Sequence, residues 1–109
     1  MLEALFGNDK IEKILFYILV YNDCYAKAVA DLYKIPLNGV QQQLQRLENG
    51  GIIVSQKKGS VRLYQFNPRY PFLVELIKFL QRAMDVLPRE EIMKYYRMRT
   101  RPRRKGKPL

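Results

Sequence analysis

Histidine is absent from this chain of 109 residues, and cysteine occurs once, as Cys24. Without histidine the commonest general base and the commonest neutral metal ligand are gone, and with them the usual Cys–His and Ser–His–Asp arrangements. A single cysteine closes no internal disulfide, which agrees with a reducing compartment, and zinc sites built on Cys and His are excluded by count. No apolar run approaches the ~20 residues of a membrane span. The N-terminus "MLEALFGNDK" lacks the charge pattern of a secretory leader. A cytoplasmic protein with no membrane contact is therefore expected. The carboxylates are scattered, and only Glu90 and Glu91 are adjacent. No nucleophile–base pair and no phosphate-cradling glycine loop is found. No catalytic residue, metal or cofactor is expected, and no enzymatic activity.

What is abundant is positive charge, unevenly placed. The net charge is +10. Residues 1–31 carry −2, residues 32–74 carry +5, residues 75–91 carry −1 and residues 92–109 carry +8. A basic central block and a basic end form an electrostatic footprint for a polyanion, with nucleic acid the leading candidate. Ordinary solvated lysines with a solubilising tail are the other reading. The hydrophobic fraction is 48%, enough for a globular chain, and the length suits one core rather than two.

Helical periodicity comes first along the chain. Ile11, Ile14, Leu15, Ile18 and Leu19 share one face of a helix over residues 9–21, with Asp9 as N-cap. Phe16, Tyr17, Val20 and Tyr21 make its other side apolar too, as in a helix central to a core or covered by a partner. A short helix from Tyr25 to Tyr33 puts Val29 and Ala30 inward. After "KIPLNG" a third helix runs to Asn49 with Val40, Leu44 and Leu47 on one face. Pro36 suits its first turn, with Asn38 as an alternative cap, and Asn49-Gly50-Gly51 stops it. "IIVSQKKGSVRLYQF" then reads as a β-hairpin whose tip holds Lys57-Lys58-Gly59-Ser60. Pro71 opens a fourth helix with Leu73, Leu76, Ile77, Leu80, Met84 and Leu87 on one stripe. Pro88 starts a further turn or two. Residues 98–109 have no apolar period and read as a flexible basic tail bearing Arg99, Arg101, Arg103, Arg104, Lys105 and Lys107.

The predicted class is α+β, mainly α, with a domain over residues 1–97 and the tail over 98–109. A third helix contiguous with a basic hairpin suits a duplex: a helix about 10–12 Å across fits the major groove, and the hairpin reaches flanking phosphates.

This order resembles the winged helix-turn-helix regulators, most closely the ArsR-like branch, over about residues 5–87. Ala30 matches the small residue at the helix crossing. Val40, Leu44 and Leu47-Glu48 match the recognition helix, Gly51-Ile52 its exit, and Gly59, Tyr64, Phe66 and Asn67 the wing strands. Three positions depart from the pattern. Lys34 stands at a turn position that is often Gly, Pro36 stands where Ser or Thr usually caps, and the metal-sensing cysteine cluster is missing. The resemblance implies a three-helix core, a two-stranded wing and a C-terminal dimerisation helix. It implies double-stranded DNA binding and transcriptional regulation as a homodimer, without metal sensing.

Asn38, Gln41, Gln42 and Gln45 lie opposite the apolar face of the third helix, and Asn and Gln can bond adenine bidentately. They are the expected base contacts; a plain polar solvent face is the alternative. Tyr25, Lys27, Arg46, Lys57, Lys58, Ser60 and Arg62 are the expected phosphate contacts. Arg46 can instead pair with a carboxylate, and Tyr25 can be core. Tyr64 and Phe66 are assigned to hairpin packing, and Cys24 to an inert small residue. Phe72, Leu73, Leu76, Ile77, Leu80 and Met84, with the first helix, Leu2, Leu5 and Phe6, are expected to form a two-fold interface. The runner-up is a non-catalytic interaction module for RNA or a protein. Tyr95, Tyr96 and the arginine-rich tail keep RNA open.

Overall fold

A computed structural model describes residues 1–97. Among the described residues the chain is α+β and mainly helical: α1 (Glu3–Phe6), α2 (Asp9–Tyr21), β1 (Cys24–Tyr25), α3 (Ala26–Tyr33), α4 (Leu37–Asn49), β2 (Ile53–Lys58), β3 (Val61–Phe66), α5 (Leu73–Val86) and α6 (Arg89–Tyr95). None of these helices is long and apolar enough to cross a membrane.

The central element is α2, whose apolar circumference finds cover within the chain. Ile11, Ile14, Leu15, Phe16, Ile18 and Val20 are all buried. The cap is Asn8, not the expected Asp9: Asn8 Oδ1 accepts the Ile11 N–H at 2.9 Å, and Asp9 supplies first-turn acid instead. An Asn carbonyl one residue earlier reaches the third helical amide, as capping geometry requires. Glu12 is the buried carboxylate of this helix, and it accepts the Leu2 backbone N–H at 2.6 Å.

Helices α3 and α4 pack on α2 through Val29, Ala30, Val40, Leu44 and Leu47, each nearly or fully buried. Between them Lys34 closes α3 in the left-handed region, at φ 57 and ψ 51. A side chain there costs ~1–2 kcal/mol that glycine avoids. Lys34 is exposed. Lys34→Gly is therefore expected to stabilise the fold by about 0.5–1 kcal/mol, after the added freedom of the unfolded chain is subtracted. A higher urea midpoint at unchanged slope checks it. Pro36 occupies the α4 cap position with extended backbone and offers no side-chain bond, and Asn38 lies inside the first turn rather than capping it.

The hairpin expected to be two-stranded is part of a three-stranded antiparallel sheet, ordered β1-β3-β2. Cys24 pairs with Tyr64 and Tyr25 with Leu63. Lys57 and Lys58 belong to β2 itself. The turn is Gly59-Ser60 alone, with Gly59 at φ +64. The base of the hairpin is fastened by Asn67, whose Nδ2 donates to Gly51 O at 2.8 Å.

Helix α5 also joins this core, burying Leu80, Ala83 and Met84, followed by Leu87. The chain then turns back through α6 to a tyrosine cluster. Tyr96 is 2% exposed. The Tyr33 hydroxyl donates to Lys13 O at 3.1 Å, so its one proton is used and the Tyr96 hydroxyl, 2.6 Å away, donates to Tyr33. The Tyr21 hydroxyl donates to the Tyr95 carbonyl, and the Tyr96 ring meets Phe16 edge-on. Tyr96 therefore anchors α6 and belongs to the core. The basic tail, residues 98–109, lies outside the described residues.

Candidate nucleic-acid interface

With Val40, Leu44 and Leu47 inward, helical spacing turns Leu37, Asn38, Gln41, Gln42, Gln45 and Arg46 to solvent, and all six are exposed. Gln45 Nε2 donates to Asn49 Oδ1 at 2.9 Å along the helix. The fourth glutamine, Gln43, is half-buried and accepts from Asn8 Nδ2 at 3.1 Å, which ties it to the α2 cap.

Five of the expected DNA-contact residues converge on one groove. Tyr25 and Lys27 from the start of α3, Gln41 from α4, and Ser60 and Arg62 from the hairpin line a hollow of about 400 Å³, together with Leu37, Val61 and Tyr64. No carboxylate lines it. Lys27 bonds Asp31 at 3.0 Å on the exposed face of α3. Such exposed pairs hold little energy and exchange readily for another anion.

Arg62 is positioned by Ser55, which the sequence did not single out, and by Glu48, named there only as part of the helix pattern. Its Nη1 donates to Ser55 Oγ at 3.0 Å, and Ser55 Oγ donates to Glu48 Oε2 at 2.7 Å. Glu48 lies near the end of α4, so this relay ties the hairpin to that helix. Lys57 stands directly opposite Arg62 in the ladder. Like charges facing each other are unfavourable, and an anion between them would relieve the repulsion.

The pleat divides the lysines. Alternation places Lys57 and Arg62 on the sheet face that carries Ile53 and Tyr64, and Lys58 on the opposite face. The two lysines expected to act together therefore point to different sides. Arg46 is separated from the groove as well, lining a different hollow with Leu5, Ile52 and Leu76. Asn38, Gln42 and Gln45 are exposed on α4 but do not line the groove. Comparison with family models, with curated proteins and with solved structures finds no match to this chain.

The groove holds further residues missed in the sequence. Leu37 and Val61 are exposed apolar side chains on its rim. Gly39 leaves room for the Lys10 stem, whose Cε would lie 2.9 Å from a Cβ there, bringing a further lysine over the first turn of α4. A glycine in a helical first turn is the only signal for that approach. Cys24 is buried within β1, and burial pushes its thiol up to about 12, so it is an inert packing group at neutral pH. Among the described residues no group of three or more Cys, Asp or Glu is placed to hold a metal ion.

The surface expected to pair two copies needs correction. Leu80 and Met84 are 0% and 1% exposed, so both belong to the chain's own core. Leu73, Leu76 and Ile77 are half-buried, and Phe72 is largely exposed. Exposed apolar side chains remain here at Leu5, Phe72 and Phe79, which line a groove of about 460 Å³ between α1 and α5, and at Val74 on α5.

Proposed function

We propose that this protein is a winged helix-turn-helix binder of double-stranded DNA, with α3 and α4 as the helix-turn-helix and the β2–β3 hairpin as the wing. It acts by occupancy as a transcriptional regulator and performs no catalysis. The observation that carries this reading is the shared groove. Tyr25 and Lys27, Gln41, and Ser60 and Arg62 come from three separate segments and face one acid-free hollow beside an exposed glutamine-rich helix. In the helix-turn-helix geometry the N-terminal part of the second helix meets base edges while basic groups around it hold phosphates.

A homodimer is the second part of the proposal. It rests on Leu5, Phe72 and Phe79, which line the α1–α5 groove, with Val74 exposed on α5 as well. The same exposed residues support the runner-up, a protein-interaction module. Selection of bound sequences from random duplex DNA at near-physiological salt tests both parts together. Enrichment of a palindrome is expected; recovery of no preferred sequence would set the reading aside.

Within this proposal Gln41 reads a base and Lys57 holds a phosphate. Gln41→Ala is expected to weaken the selected site by ~1–3 kcal/mol and leave random-sequence binding nearly unchanged. Titration of both duplexes checks it, and an equal loss on each would assign Gln41 to the backbone.

A further inference from the structure

The groove contains a side chain that neither packing nor capping accounts for, and what it could contact follows if the DNA-binding reading above holds. Leu37 opens α4, is 39% exposed, and is not among the residues packed on the core. An exposed leucine by itself would be unremarked. This one has company: Tyr25 and Val61, 39% and 47% exposed, line the same groove. Gln41 follows Leu37 by four residues, so the two share one stripe of the helix.

We infer that Leu37 reads the C5-methyl group of thymine next to an adenine held by Gln41, so that the preferred duplex carries an A·T step at this groove. Thymine is the one common base that presents a methyl group in the major groove, and adenine presents the donor–acceptor pair that an amide side chain matches. The occupant is a nucleic acid rather than an apolar peptide because the groove's charged side chains are Lys27 and Arg62 and no carboxylate lines it; the exposed Asp31 partner of Lys27 is readily exchanged for a phosphate. The methyl group also separates duplex DNA from RNA, in which uracil lacks it.

The probe is a random duplex pool selected by the full chain and then amplified in parallel with thymine and with uracil. Sequence and base pairing are the same in both forms, and only the methyl groups are removed. Native protein is expected to bind the uracil form about fourfold more weakly for each methyl group contacted. Leu37→Ala is expected to bind the two forms equally. Lys57→Ala is expected to lose affinity for both while keeping their ratio. Equal binding of the two forms by native protein overturns the inference and leaves the DNA reading intact. A uracil penalty that persists in Leu37→Ala also overturns it, since the methyl group is then read elsewhere. Failure to select or bind any duplex removes the DNA reading and the inference with it.

Discussion

Raising the pH from 9 to 11 is expected to remove about 5 kcal/mol of folding stability, a loss comparable to the whole net stability of a small domain. Three buried groups produce it. Burial pushes the Cys24 thiol from its ordinary value of 9.0 up to about 12. Burial also holds the Tyr33 and Tyr96 hydroxyls far above their ordinary value of 10.0. The Tyr96–Tyr33 hydrogen bond raises Tyr33 further and partly offsets the shift of Tyr96. Below pH 9 folded and unfolded chains hold the same protons on these groups, and stability does not change on their account. Above it the unfolded chain releases protons that the folded chain keeps, so stability falls as pH rises. Each group contributes ~1.4 kcal/mol per pH unit between its two values. By pH 11 that is about 3 kcal/mol from Cys24 and about 1 kcal/mol from each tyrosine. Urea unfolding at four pH values between 8 and 11 checks it. Cys24→Ala and Tyr96→Phe should each flatten the pH dependence, whatever they do to stability at pH 8. A midpoint that is flat to pH 11 would contradict the buried cluster.

That cluster was also the least legible part of the fold. Tyr96 meets Tyr33 across 63 residues and Tyr21 bonds the Tyr95 carbonyl across 74, and no local pattern reports contacts so remote. The helices were legible because periodicity is local: Ile11, Ile14, Leu15 and Ile18 announce α2, and Val40, Leu44 and Leu47 announce α4. β1 was not, because two residues acquire strand character only by pairing with β3. Leu80 and Met84 show a different limit. The period identifies an apolar stripe but not whether the chain itself or a second copy covers it.

The candidate site divides in the same way. The polar face of α4 followed directly from its buried face, and Ser60 and Arg62 followed from hairpin chemistry. What stayed hidden was orientation. The strand boundary puts Lys57 and Lys58 into a ladder, where the pleat sends them to opposite faces. The Glu48–Ser55–Arg62 relay joins a helix to two strands, and its members look like three unrelated surface residues in the sequence.

Truncation after residue 97 is expected to weaken duplex binding by as much as roughly a thousandfold at low salt, with the gap closing as salt rises. The deletion removes Arg99, Arg101, Arg103, Arg104, Lys105 and Lys107. Each neutralised phosphate adds ~0.9 to the slope of log affinity against log salt. Full engagement of the six would therefore lower the slope by about 5, which over a fourfold change in salt amounts to roughly three decades of affinity. If α4 makes the base contacts, as proposed, and the tail neutralises charge without reading bases, the ranking of sequences should survive. The wing answers differently. Lys57 is held by the ladder on the Arg62 face, so Lys57→Ala in the truncated chain should lower the slope by a further ~0.9. Lys58→Ala, on the opposite face, should change it less. Equal effects of the two lysines would mean that the hairpin meets DNA by diffuse charge rather than by one face. If the truncated protein retains its circular dichroism spectrum and binds no duplex at any salt, the α4 groove is not the DNA reader. The exposed apolar surface of α1 and α5 then becomes the functional face, and the interaction-module reading replaces the DNA-binding one.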